Sequence, residues 1–184
     1  MAGCTFQATH KQVLREAVVI AEEVTSDFYK LSRNQWRQTP YDILTLEELR
    51  QPEISSHALA LVAKYNCCRP GRVLKSAHFD LYRICLQDHN ILRKLAQSEK
   101  FSLLPLLIYV VTHELVHVVR FGHFLQLFEV PETDKAKEEA LVHHLTQQIL
   151  APLRMSQLDE VLQYYRRGED QIKLSQGTHK SLTC

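Results

Sequence analysis

The sequence predicts an α+β fold, mainly helical, in a single domain spanning 1–184, with a small sheet ahead of one strongly apolar helix. Three observations carry this. Apolar residues recur at three- and four-residue steps over long stretches, which is the period of a helix face. Between His78 and Leu86 they alternate instead, which is the period of a strand. Only 5 Gly and 6 Pro occur in 184 residues, too few chain breakers for a many-turned β sandwich or a disordered linker protein. At 45% hydrophobic and 23% charged, the chain has the composition of an ordinary globular domain able to bury a core.

Taken in order, Val13, Ala17, Ile20, Val24, Phe28 and Leu31 share one face of a helix from about Thr9 to Arg33. Pro40 ends the next segment. Thr45-Leu46-Glu47-Glu48 offers an N-cap with acidic first-turn residues for a short helix that stops near Pro52. Ser55 or Ser56 caps another helix, expected to reach Tyr65. Asn66-Cys67-Cys68-Arg69-Pro70-Gly71 has the chemistry of a turn. Two strands are expected after it, Arg72–Lys75 and His78–Leu86, although apolar residues on both faces of the second leave a buried helix open.

Pro105 suits the first turn of an apolar helix from about Ser102 to Phe121, and Gly122 is placed to end it. Pro131-Glu132-Thr133-Asp134 opens a helix to about Leu150, and Ser156 caps a last one through Arg167. Residues 169–184 read as a loose polar tail.

Charge and cysteine usage narrow the function classes. With 22 Lys+Arg against 21 Asp+Glu and no basic stripe, nothing points to nucleic acid. The run Leu103–Val111 is roughly half of what a bilayer needs, so no membrane span is expected. The N-terminal segment carries Lys11, Arg15, Glu16, Glu22 and Glu23, which breaks any secretory apolar region. Five scattered cysteines, Cys67-Cys68 among them, fit a reduced chain, and a cytoplasmic location is expected. The vicinal pair reads as packing residues in a turn.

Chemistry concentrates in Val110-Val111-Thr112-His113-Glu114-Leu115-Val116-His117-Val118-Val119. Its two histidines stand one helical turn apart and can reach one metal ion, with Glu114 turned about 100° away toward an attacking water. Three polar groups inside an apolar helix are costly to bury without partners, and a metal is a natural one. Glu114-Leu115-Val116-His117 is also the ExxH unit of di-iron carboxylate bundles, but no second ExxH exists in the chain.

The HExxH motif and its uncharged flanks resemble the zincin metallopeptidases, over residues 105–152. The resemblance implies one zinc per chain, held by His113, His117 and a third ligand, with Glu114 as general base for hydrolysis of a peptide or protein substrate. It also implies a sheet edge near Phe79–Leu86 along which an extended peptide pairs.

Three residues compete as third ligand. His123 falls where metzincins place their third histidine, but Arg120 stands where those proteins have glycine. Glu138 and Glu139 follow His117 at a separation similar to that of gluzincins, which use a glutamate from the next helix. Glu138 shares a stripe with Leu141, Val142, Leu145 and Ile149 and so points into the core. Glu139 shares its stripe with Val142, His143 and Thr146, which resembles the gluzincins more closely, except that His143 stands where they commonly have Asp. Glu139 is therefore preferred and Glu138 is the alternative.

Around these, Arg120 is a candidate partner of the ligand carboxylate. His143, then His144, Tyr164 and Tyr165, are candidates for donating to a developing oxyanion. The competing function is a non-catalytic zinc-binding or protein-interaction module on the same scaffold.

Overall fold

Small side chains set how the first helix packs. Helix α1 (Ala8–Tyr29) fully buries Ala17 and Ala21, and these lie on the row with Leu14 and Thr25 that meets the apolar helix of the motif. Bulkier Val13, Val18, Ile20 and Val24 flank this row half-buried, while Phe28 is exposed. The buried row is thus turned by about one residue from the expected one, because alanines let two helix axes approach where valines hold them apart. The computed structural model describes residues 5–68, 78–97, 102–123, 125, 127–128, 131–166 and 180–183.

α1 stops at Lys30, whose φ of 56° is left-handed. Ser32 then starts α2 (Arg33–Gln38), its hydroxyl accepting from Gln35 N–H while Gln35 Oε1 accepts from Ser32 N–H at 2.7 Å. β1 (Tyr41–Leu44) follows. The short helix expected at Thr45 is two 3-10 turns, Leu46–Glu48 and Gln51–Glu53.

The helix expected from Ser55 to Tyr65 is instead a strand, β2 (Ala60–Cys68). Its Ala-Leu-Val-Ala run suits either state, and pairing decided: β2 runs antiparallel to β3 (His78–Leu86) from Ala60↔Leu86 to Cys68↔His78. Ser55 Oγ does accept from Ala58 N–H at 3.1 Å, but that turn feeds a strand. Cys67 and Cys68 accordingly lie in β2 rather than in a turn. Cys67 is disulfide-bonded, a departure from the all-thiol expectation, whereas Cys68 and Cys85 are not in disulfides. The strand expected at Arg72–Lys75 lies outside the described residues.

The sheet order is β1-β3-β2-β4, with β1 parallel to β3 and β4 (Lys180–Thr183) parallel to β2. Two expectations change here. Residues 180–183, part of the supposed loose tail, are a strand, while 169–179 lie outside the described residues. β3 is flanked by β2 along its length and by β1 over Tyr82–Cys85, so that part of Phe79–Leu86 is not the sheet edge; β1 and β4 are the outer strands.

Period-two alternation splits the sheet between two cores. Ala60, Val62, Tyr82, Ile84 and Leu86 face the helices, whereas Leu61, Ala63, Tyr65, Cys67 and Cys85 form a smaller cluster on the other side. On that far side Arg83 pairs with Asp42 at 2.8 Å and with the fully buried Glu53 at 3.1 Å, and Tyr65 donates to Glu53 at 2.6 Å.

Helix α3 (Asp88–Ala96), unforeseen in the sequence, anchors the irregular segment before the sheet. Buried Asp88 accepts from Phe6 and Leu46 N–H at 2.8 and 3.1 Å, and Asn90 Nδ2 donates to the Ser55 and Ala58 carbonyls.

α4 (Leu103–Gly122) is buried on every side from Pro105 to Val119, as a helix apolar all round must be. It contacts α1, α5 (Glu132–Leu150), α6 (Leu158–Arg166) and the sheet. At 20 residues and a mean hydropathy of 1.5 it reaches membrane-spanning length, beyond the Leu103–Val111 run, but 83% of that stretch is buried within the fold. Gly122 ends α4 as its last helical residue rather than as the residue after it. It sits in the last turn, where a Cβ would run into the side chain of Thr39, and His123 is the cap.

Candidate metal centre

α4 and α5 pack side by side, and each brings a row of residues at four-residue spacing to their seam. On α4 the row is Tyr109, His113, His117 and Phe121; on α5 it is Glu139 and His143. The Glu139 carboxylate is the hub. Its Oε1 lies 3.0 Å from His113 Nε2 and 3.5 Å from His143 Nε2, and its Oε2 lies 3.2 Å from His117 Nε2.

The two adjacent acids have different partners. Glu138 is buried, as its stripe implied, but its two oxygens accept from Nε and Nη2 of Arg120, the latter at 2.9 Å. Arg120 therefore partners Glu138 and not the carboxylate that faces the histidines. His123 caps α4, exposed and outside the cluster, and His144 is exposed too.

His143 lies in the site, but not facing an open cleft: it is 2% exposed, with Nδ1 3.0 Å from the Tyr109 hydroxyl. Tyr165 stacks on Tyr109 at 4.5 Å between ring centres and lies 6.3 Å from His143. Tyr164 turns away, its ring under the Lys94 ammonium. Tyr109 is the residue that motif reading missed. Its signal is its place one turn before His113, on the face that His113 and His117 share.

His113, Glu114 and His117 are completely buried. Burial, against the pull of Glu139, pushes His113 down to about 4, so the imidazole is neutral near pH 7 and keeps a lone pair. Burial works the other way on Glu139, but His113 and His117 outweigh it and hold the carboxylate well below its usual range. Neutral imidazoles and an ionised carboxylate are the forms that ligate a divalent cation.

Glu114 is raised well above the usual range by burial, reinforced by the charge of Glu139. Neither of its oxygens, nor Nδ1 of His113, has a hydrogen-bond partner among the described residues. An isolated buried carboxylate is among the costliest groups a core can hold, which fits a site built around a missing partner. The residues present thus suit a metal: imidazole and carboxylate donors converge beside an acid with nothing to bind.

The chain matches no family model, no curated protein and no solved structure.

Proposed function

We propose that this chain is a zinc-dependent peptide hydrolase of the zincin kind, with His113, His117 and Glu139 holding one zinc ion and Glu114 as general base. The observation that carries this reading is the approach of both motif imidazoles to the two oxygens of one carboxylate, at 3.0 and 3.2 Å. Bound zinc supplies Lewis acidity toward a scissile carbonyl and makes water acidic enough to ionise near neutrality. Glu114 accepts the proton of the attacking water on its carboxylate and returns it to the leaving nitrogen as the C–N bond breaks. Glu139, its carboxyl held well below the usual range, would offset the charge of the cation.

Metal content and peptide cleavage test this together. Protein purified with zinc should hold about one zinc per chain, and content below about 0.2 would sink the reading. A peptide library, read by mass for new termini, should be cleaved by the wild type. Glu114→Gln should keep zinc yet cleave at least about a hundredfold more slowly, because an amide cannot take the proton. Equal cleavage by both would overturn the mechanism.

A second reading, a module that holds zinc without hydrolysis, is favoured by one observation. The site is nearly sealed: Glu139 is 18% exposed and the motif residues not at all. Zinc bound stoichiometrically with no library peptide cleaved is its signature.

A further inference from the structure

His143 stands apart from the zincin pattern, and its surroundings are those of a ligand. Its Nε2 faces the cluster, and donor atoms of His113, Glu139 and His143 all lie within 4.8 Å of one another, the span one ion can bridge. The ring is gripped on several sides: by the Tyr109 hydroxyl 3.0 Å from Nδ1, by the His113 ring at 4.6 Å and by the Tyr165 ring at 6.3 Å. A histidine that ligates a metal presents one nitrogen to it and gives the other N–H to an acceptor that sets tautomer and angle. The Tyr109 hydroxyl is placed to be that acceptor. An oxyanion donor, by contrast, needs an N–H facing substrate. Here Nδ1 faces Tyr109 and Nε2 faces Glu139, in a side chain 2% exposed.

We propose that His143 ligates the same metal ion as His113 and Glu139, with Tyr109 as the residue that positions it, so that three imidazoles and one carboxylate form the donor set. This rests on the reading that the cluster holds a metal. Such a set suits a borderline divalent transition ion, zinc among them, over magnesium or calcium, which favour all-oxygen sites. A fourth protein donor also moves the centre toward the closed kind and away from the three-ligand kind that keeps a place for water.

The probe is cobalt(II), added to one equivalent per full-length chain. Each ligating imidazole whose other nitrogen carries a proton gives one strongly shifted proton resonance that vanishes in deuterated water. Wild type should show three such signals. His143→Gln should show two, with cobalt still bound but more weakly. Tyr109→Phe, which keeps the ring and removes only the hydroxyl, should retain three and lose about 10- to 100-fold in cobalt affinity. Two signals in the wild type overturn the proposal even if His143→Gln fails to fold, because the wild-type count decides it. So do three signals that His143→Gln leaves unchanged. Wild type that takes up neither cobalt nor zinc overturns the metal reading beneath it, an outcome distinct from metal bound with two imidazoles.

Discussion

Arg120 on α4 and Glu138 on α5 close a two-pronged pair, Nη2 to Oε2 at 2.9 Å and Nε to Oε1, with 12% and 7% of their side chains exposed. Helical geometry puts the next residue about 100° further round. With Glu138 held toward Arg120, Glu139 is the acid turned to His113 and His117. The pair thus accounts for Glu138 and leaves Glu139 as the carboxylate beside the histidines.

Removing each acid in turn separates these roles. Glu139→Ala should abolish stoichiometric zinc binding, while Glu138→Ala should keep it. The latter should instead lose about 1–3 kcal/mol of stability, because it leaves the Arg120 guanidinium half-buried without its partner. Calorimetric zinc titration and denaturant unfolding measure the two effects. Zinc retained in Glu139→Ala and lost in Glu138→Ala would show the opposite assignment.

Gly122→Ala should destabilise the fold by about 1–3 kcal/mol, since the new methyl meets the Thr39 side chain at the end of α2. The same change made together with Thr39→Gly should cost less than the two changes summed. Strict additivity in denaturant melts would show that the contact does not constrain the packing.

Lys30→Gly should stabilise the protein by up to about 1 kcal/mol, because the left-handed cap of α1 carries a side chain that glycine lacks. Thermal unfolding of the pair tests this, and a lower melting temperature for the glycine variant would contradict it.

Acid should weaken the far side of the sheet. Burial pushes the Glu53 carboxyl up, but the Tyr65 hydroxyl, the Arg50 N–H and Arg83 together hold it below its ordinary value. A depressed folded pKa means that this carboxylate contributes stability above its unfolded pKa and loses it as pH falls through the folded one. The window therefore opens near pH 4.5 and extends downward. Below that pH, wild-type stability should fall more steeply than that of Glu53→Gln. Parallel curves would remove Glu53 from the account.

Local periodicity and short-range chemistry made several elements legible in the sequence: α1, the apolar α4, α5, α6 and the alternating β3. His113, Glu114 and His117 were equally legible, because four-residue spacing on one helix depends on no other part of the chain. Ala60–Tyr65 was not, since an apolar run buried on both faces satisfies helix and strand alike until a partner strand supplies its hydrogen bonds. β1 and β4 have the same explanation: four-residue strands whose ladders lie in β3 and β2. At the site, sequence ranked Glu139 above Glu138 by resemblance. Only the packing of α4 on α5 showed that Arg120 holds one acid and the histidines surround the other. Tyr109 and His143 meet across a separation of 34 residues. Such a contact is decided by how two helices rotate against each other, a property of their shared interface that neither helix carries alone.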